Sequence, residues 1–364
     1  MENRFFDSPR ILPTTGRRLK NMSRAIRVSV DEDAPKFSST ATLVTDQLDD
    51  ALGDGDGDVT VDVDYSSVNY KDALALTGKP GVIRAGTLTA GIDLVGTVAS
   101  SDSPDWSPGD QVVVNGWGMG ESHNGGLAER ARVKSEWLVA LPASVSAARA
   151  AAIGTAGFTA MLSVLALEKN GVAGGEVLVT GASGGVGSVA IVLLSKLGYS
   201  VSASTGKDAE HDYLRGLGAS RVIHRDELSA ADGKPLQTQR WAAAIDSVGS
   251  STLANVLAQV NYGGVVASCG LAQGADLPTT VMPFILRGVT LAGINSVFCP
   301  APLRAQAWER LSADLDLDLL DSITRTVPLE GAIDAASAIM SGQSRGRVVV
   351  DVRSVDGRSA DVRS

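Results

Sequence analysis

The chain has 364 residues, of which 44% are hydrophobic and 4% aromatic, and its net charge is −9 at pH 7. A chain of this length buries a large core and is expected to divide into two domains. The negative charge argues against nucleic acid or an anionic membrane surface as the partner, and we find no apolar run of the roughly 18–20 residues that a membrane span needs. Two cysteines, Cys269 and Cys299, are too few for a disulfide framework, which favours a reducing cytoplasm.

Residues 1–21 are predicted to be a disordered extension. They are rich in basic side chains and have no apolar core of the kind found in secretory signals. Met22 directly precedes a predicted strand, so both a transit peptide and an untranslated upstream stretch stay open for residues 1–21.

Short strands and turns follow up to residue 139. Val59, Val61 and Val63 alternate with polar residues, which is the period of a half-buried strand. Further strands are predicted at 91–98, 110–114 and 125–133. This region is therefore expected to form a small, partly open β-barrel.

The pattern changes after Pro142. An alanine-rich helix is predicted over 146–167 with a break around Gly154, and strands then alternate with helices. The six predicted strands are 176–180, 199–204, 221–224, 243–247, 264–268 and 290–295. Such alternation predicts a doubly wound parallel sheet of order 3-2-1-4-5-6. Beyond it we expect an amphipathic helix around Trp308 and a last strand, 346–351, that returns to the barrel.

A glycine-rich turn joins the first of these six strands to its helix. Gly184 and Gly187 have the spacing of the last two glycines in G-x-G-x-x-G, while Ala182 takes the first position. Glycines let a backbone approach a pyrophosphate, and a helix N-terminus offers it free N–H groups. Alone, the cluster is a weak signal that an ordinary strand–turn–helix also produces.

The second strand indicates which dinucleotide is bound. A site for NAD has Asp or Glu at the tip of this strand, where it binds the ribose hydroxyls. Here the tip has Thr205, Gly206 and Lys207 and no acid. Threonine and lysine suit a 2′-phosphate, and Arg225 at the end of the third strand can reach the same pocket. The pattern predicts NADPH as the cofactor, although Lys207 as a solvated loop residue stays open.

Several motifs resemble a known family. The segments 69–72, 154–161 and 180–187 resemble the medium-chain dehydrogenase/reductase superfamily, and 116–121, 277–287 and 304–308 resemble its NADPH-dependent acrylyl-CoA reductases. These belong to the zinc-free, quinone-oxidoreductase-like branch, and the resemblance runs from about Met22 to Val352. It implies an α/β fold in which a GroES-like β-barrel catalytic domain (22–145 and 298–353) carries an inserted Rossmann domain (146–297), with a disordered tail at 354–364. It also implies a homodimer joined through the nucleotide domains.

The resemblance further implies an activity. Acrylyl-CoA would be reduced to propionyl-CoA by hydride transfer from NADPH to the β-carbon and protonation at the α-carbon. Alcohol-dehydrogenase relatives hold zinc through a Gly-His-Glu motif, but the matching positions here are Gly91, Ile92 and Asp93, and no cysteine precedes residue 269. A zinc site needs three or four N, S or O ligands. We therefore expect no metal.

Site residues are carried over from the family. Tyr70 is expected beside the nicotinamide as proton or hydrogen-bond donor, with Asn69 and Asp72 orienting it, although a barrel tyrosine that merely packs stays open. The remaining cofactor-binding positions are Ser183, Gly184, Gly185 and Val186 for the pyrophosphate, Thr205, Gly206, Lys207 and Arg225 for the 2′-phosphate, and Leu271, Ile285 and Ser296 near the nicotinamide half. Two alternative functions stay open, an NADPH-dependent quinone or enone oxidoreductase and an NADPH-binding protein without catalytic activity.

Overall fold

The computed structural model describes residues 22–30, 39–47, 57–84, 86–231 and 233–354. The predicted disordered extension, 1–21, and residues 355–364 of the predicted tail lie outside them. Ser354, which the prediction placed in the tail, is buried and donates its backbone N–H to Asp351. The ordered catalytic domain therefore includes Ser354.

Strands and helices are numbered here in chain order within the described residues. The strands are β1 Met22–Val30, β2 Ser39–Gln47, β3 Val59–Ser67, β4 Thr87–Thr89, β5 Asp93–Ser101, β6 Gln111–Asn115, β7 Arg130–Val133, β8 Val139–Ala140, β9 Glu176–Val179, β10 Ser200–Thr205, β11 Arg221–His224, β12 Trp241–Asp246, β13 Val260–Ser268, β14 Thr290–Gly293, β15 Thr324–Pro328 and β16 Arg347–Asp351. The helices are α1 Tyr70–Leu76, α2 Ala147–Lys169, α3 Gly185–Lys196, α4 His211–Gly216, α5 Ser250–Gln259, α6 Met282–Arg287, α7 Ala301–Asp314, α8 Leu317–Ser322 and α9 Ala332–Met340.

The catalytic domain is built on two sheets. One has the order β15-β16-β3-β5-β6-β8, with β7 also paired to β3, and the other has the order β2-β1-β4. Val59, Val61 and Val63 of β3 are fully buried while the residues between them are partly exposed, as the period of two predicts. β16 pairs antiparallel with β3, which confirms that the last strand returns to the barrel.

The nucleotide domain contains a six-stranded parallel sheet of order β11-β10-β9-β12-β13-β14. In chain order this is 3-2-1-4-5-6, so the predicted doubly wound topology is confirmed. Val177–Val179 of the central strand are fully buried because helices cover both faces of such a sheet. Consequently, the carboxyl ends of β9 and β10 open on the same edge, where ligands bind in this architecture.

Helix α2 connects the two domains and is kinked where the sequence predicted a break. Gly154 has φ +48°, a conformation that favours glycine. By length and composition α2 is apolar enough to cross a membrane, so the expectation that no segment reaches that length was wrong. However, 89% of its most apolar window is buried inside the protein, where α2 packs against α3, α7 and strands of the barrel. Hydropathy alone does not distinguish such a core helix from a span.

Candidate active site

The glycine turn begins where β9 ends, and α3 begins at Gly185. The N-terminus of α3 has no side-chain cap, so its first N–H groups remain available to a ligand. A Cβ at Gly187 would lie 2.5 Å from the Gly181 carbonyl oxygen and 2.7 Å from the Ala182 Cα, so only glycine allows this close packing. The backbone of the turn therefore has the shape and the donors that a pyrophosphate requires.

The tip of β10 lies beside this turn and is cationic. The Thr205 hydroxyl accepts the backbone N–H of Lys207 at 3.2 Å, and Lys207 Nζ donates to the Ser344 carbonyl at 3.3 Å. The Arg225 guanidinium lies directly against Gly206, because a Cβ at this glycine would be 2.4 Å from Arg225 Nε. With two cations, a hydroxyl and no acid at the tip itself, this pocket fits a 2′-phosphate.

Tyr70 is the first residue of α1 and lies in the cleft between the domains with 48% of its surface exposed. Its helix is held by Asp72, which accepts the Asn69 backbone N–H at 2.9 Å with one oxygen and the Ile92 N–H at 2.9 Å with the other. Burial raises the pKa of Asp72 to about 7, and the nearby carboxylate of Asp93 adds to the shift. Asp72 is 2% exposed and does not line the cleft, so it acts by fixing the start of α1.

Asp93 matches the last residue of the Gly-His-Glu motif of zinc-dependent relatives, and Ile92 matches its histidine. Asp93 is 1% exposed and accepts five hydrogen bonds. These come from Ser67 Oγ at 2.6 Å, Asn69 Nδ2 at 2.8 Å, Asn115 Nδ2 at 2.7 Å, Thr155 N at 2.9 Å and Thr155 Oγ1 at 2.5 Å. Its lone pairs are therefore already engaged. In the part of the chain that the structure describes, no group of three or more His, Cys, Asp or Glu side chains is placed to hold a metal.

Arg347 balances this carboxylate, and the sequence analysis did not identify either residue as part of the site. Arg347 is 2% exposed and donates to Asn69 Oδ1 at 3.1 Å, to Ser67 Oγ at 3.1 Å and to the Ala152 carbonyl at 2.6 Å. Burial lowers its pKa, and the attraction of Asp93 opposes that shift. Its Nη1 lies 3.0 Å from where a Cβ of Gly185 would be, so the cation also borders the glycine turn. An arginine directly before the apolar run 348–350 of the final strand was the available signal.

Most of the predicted site residues meet in one interdomain cleft of about 1110 Å³. The cleft is lined by Asn69, Tyr70, Ser183, Gly184, Gly185, Val186, Thr205, Gly206, Lys207, Arg225, Leu271 and Ser296. Ile285 is not among the lining residues, contrary to its predicted place near the nicotinamide half. It lies on α6 and is 71% exposed. The reason is that α6 docks through Arg287, which donates to the carbonyls of Ala258 and Gln237 and leaves Ile285 on the outer side.

Comparison with known proteins agrees with this architecture. Residues 55–143 match the alcohol dehydrogenase GroES-like domain, and residues 185–313 match the zinc-binding dehydrogenase family. The chain is 54% identical over 323 residues to the probable acrylyl-CoA reductase AcuI of Escherichia coli, covering 88% of this chain and 97% of that protein. It is 49% identical over 298 residues to the acrylyl-CoA reductase AcuI of Ruegeria pomeroyi, covering 81% and 90%. The crystal structure of the yhdH oxidoreductase from Salmonella enterica in complex with NADP has a TM-score of 0.86 and 51% identity, covering 91% of this chain and all of that one (100%).

Proposed function

Because this chain belongs to the acrylyl-CoA reductase family of the medium-chain dehydrogenases/reductases, we propose that it reduces the C=C bond of acrylyl-CoA to propionyl-CoA with NADPH and without a metal. One structural observation carries the proposal. The glycine turn, the acid-free tip of β10 and Tyr70 line the same cleft, and Asp93, at the end of the segment that matches Gly-His-Glu, is engaged in five hydrogen bonds. This combination supports a dinucleotide reaction on an electrophile that needs no Lewis acid.

An α,β-unsaturated thioester is such an electrophile, because its carbonyl delocalises the charge that hydride addition brings. When bound, NADPH supplies the hydride to the β-carbon, and the α-carbon of the resulting enolate takes a proton. The protein must position the thioester, stabilise the enolate oxygen and deliver that proton. Tyr70 carries a phenol into the cleft from the start of a helix and is exposed enough to recover its proton from water. We assign it the proton or hydrogen-bond donation.

The polar network beneath Tyr70 fixes the position of this residue in the cleft. Asn69 binds Asp93 and Arg347 through its two amide atoms, and Asp72 binds the Asn69 backbone, so the residue before Tyr70 is fixed from both sides. Arg347 also places a buried positive charge at the floor of the cleft, which the Asp93 carboxylate behind it offsets in part. A fixed cation there favours both the anionic cofactor and the negative charge that develops on the substrate.

We further infer a homodimer formed through the nucleotide domains, in a reducing cytoplasm. β14 lies at one edge of the six-stranded sheet, and α6 beside it exposes Ile285 (71%) and Leu286 (54%). An unpaired edge with an adjacent apolar patch is typical of an interface. Size-exclusion chromatography with light scattering should give twice the chain mass, and Ile285→Glu should shift it towards the monomer; a monomeric wild type would contradict the inference.

The substrate is tested by offering acrylyl-CoA, crotonyl-CoA, free acrylate and a benzoquinone side by side and following NADPH oxidation. We expect kcat/KM to be highest for acrylyl-CoA, with a loss of about 100-fold or more for free acrylate because the remote CoA contacts are missing. A clear preference for the quinone would establish the alternative oxidoreductase activity. Tight NADPH binding without oxidation by any acceptor would indicate a binding protein.

A further inference from the structure

Residues 342–346, in the connection between α9 and β16, belong to the catalytic domain but form three polar contacts with the nucleotide domain. The Ser344 carbonyl accepts from Lys207 Nζ at 3.3 Å, and the Gly346 N–H donates to the Ser183 carbonyl at 3.1 Å. Arg345 Nη1 lies 3.2 Å from Glu210 Oε2. The 342–346 connection therefore lies over the pocket that fits the 2′-phosphate.

Arg345 is the residue in this connection whose guanidinium can readily exchange one partner for another. Its side chain is 58% exposed, lines the cleft and is held by one contact with Glu210. Its guanidinium carbon stacks 4.9 Å from the centre of the Tyr213 ring, and Tyr213 is fixed by a 2.8 Å bond between its hydroxyl and Ser188. The ring thus provides a platform along which the guanidinium can move without losing its packing.

The charges around this pocket favour such a movement. Asp208 and Glu210 lie one and three residues after Lys207 in the chain, and both carboxylates repel a phosphate at the tip of β10. Arg345 and Glu210 share a single hydrogen bond, and because the Arg345 side chain is 58% exposed, water weakens their attraction on that side, while the Glu210 side chain is 15% exposed. A phosphate accepts two parallel hydrogen bonds from a guanidinium and carries close to two charges, so it competes effectively with Glu210 for Arg345.

We propose that Arg345 is a third cationic ligand of the cofactor's 2′-phosphate, which it binds together with Lys207 and Arg225 after leaving Glu210. This rests on the proposed function, in that the cofactor carries a 2′-phosphate. Because Lys207 and Arg225 belong to the nucleotide domain and Arg345 to the catalytic domain, the phosphate joins the two domains across the cleft. When the bound cofactor has no 2′-phosphate, Arg345 stays paired with Glu210.

The first test compares dissociation constants for NADPH and NADH, measured by nicotinamide fluorescence, in Arg345→Ala and Arg215→Ala. Arg215 is a matched control, because it is also 58% exposed and paired with a neighbouring acid, Asp212, but does not line the cleft. We expect Arg345→Ala to raise the Kd of NADPH by about tenfold, the loss of one bidentate contact, and to leave that of NADH unchanged. Arg215→Ala should change neither. Arg345→Lys, which keeps the charge without the planar fork, should lie between.

The second test separates direct binding from mere neutralisation of Glu210. If Arg345 only neutralises this acid, Glu210→Gln combined with Arg345→Ala will bind NADPH as tightly as Glu210→Gln alone, and the proposal is wrong. If Arg345 binds the phosphate, Arg345→Ala will weaken NADPH binding by about the same factor in both backgrounds. An unchanged Kd in Arg345→Ala also overturns the proposal. A wild type without preference for NADPH over NADH would instead contradict the proposed cofactor.

Discussion

Replacing Asp93 by asparagine removes the negative charge at the centre of the buried network while keeping the shape of the side chain. In wild type, one oxygen accepts from Asn115 and the Thr155 hydroxyl, and the other accepts from Ser67, Asn69 and the Thr155 N–H. An amide nitrogen in the second position faces the Thr155 backbone N–H, which cannot accept, whereas in the first position it faces Asn115 and the Thr155 hydroxyl, which can both turn to accept. In either orientation the five donors lose their charged acceptor, and Arg347 loses the attraction of the Asp93 carboxylate.

The magnitude follows from these two losses. A hydrogen bond to a charged group contributes about 1.5–3 kcal/mol, and leaving a buried charge without its compensating charge costs about 3–5 kcal/mol. The two overlap, so we expect the free energy of unfolding to fall by about 3–5 kcal/mol. In a chain of this size that lowers Tm by roughly 5 °C.

The assay is thermal and urea unfolding followed by circular dichroism. Asp62→Asn is the matched control, because Asp62 pairs with Arg130 at the surface with 37% of its side chain exposed; its replacement should cost less than about 1 kcal/mol. The double variant Asp93→Asn/Arg347→Met should be less destabilised than the sum of its single variants, since it leaves no buried charge unpaired. A Tm of Asp93→Asn within about 2 °C of wild type would refute the reasoning.

Three further predictions concern the cofactor, the proton and pH. Tyr70→Phe should lower kcat by about 10- to 100-fold while changing the Kd of NADPH little, as expected for a proton donor; steady-state kinetics with wild-type turnover would remove Tyr70 from that role. Lys207→Asp should raise the KM for NADPH by about 100-fold, because a carboxylate repels the 2′-phosphate, and an unchanged KM would contradict the NADPH pocket. The folded-state pKa of Asp72, about 7, lies above its unfolded value of 3.8. The folded state therefore binds more protons between about pH 4 and 7, and stability falls as pH rises through that window. Asp72→Asn should remove this contribution from urea midpoints measured across the window, and identical pH slopes in the two proteins would contradict the shift.

Local sequence patterns were sufficient to predict the fold and the side of the cleft that the nucleotide domain contributes. The order of the six parallel strands follows from their alternation with helices and the handedness of the crossovers. Gly187 and Lys207 lie on one continuous segment, so the pyrophosphate turn and the acid-free tip were visible as motifs.

The remaining features depend on contacts between distant parts of the chain. Arg347 meets Asn69 across 278 residues, and no periodicity or motif relates the two. Ile285, which the resemblance placed near the nicotinamide half, does not line the cleft, and α6 has only 6 residues, too few for its own pattern to show which side faces the cleft. Arg345 was not identified because its proximity to Lys207 arises only when the chain returns to the barrel.

The position of the transferred hydride in the product distinguishes reduction of the C=C bond from other uses of NADPH. The protein is incubated with acrylyl-CoA in ordinary water and with NADPH that carries deuterium in place of the transferred hydrogen, and the product is analysed by NMR and mass spectrometry. We expect propionyl-CoA with one deuterium on the β-carbon and a solvent proton on the α-carbon. Deuterium on the α-carbon, or oxidation of NADPH without deuterated propionyl-CoA, would contradict this expectation.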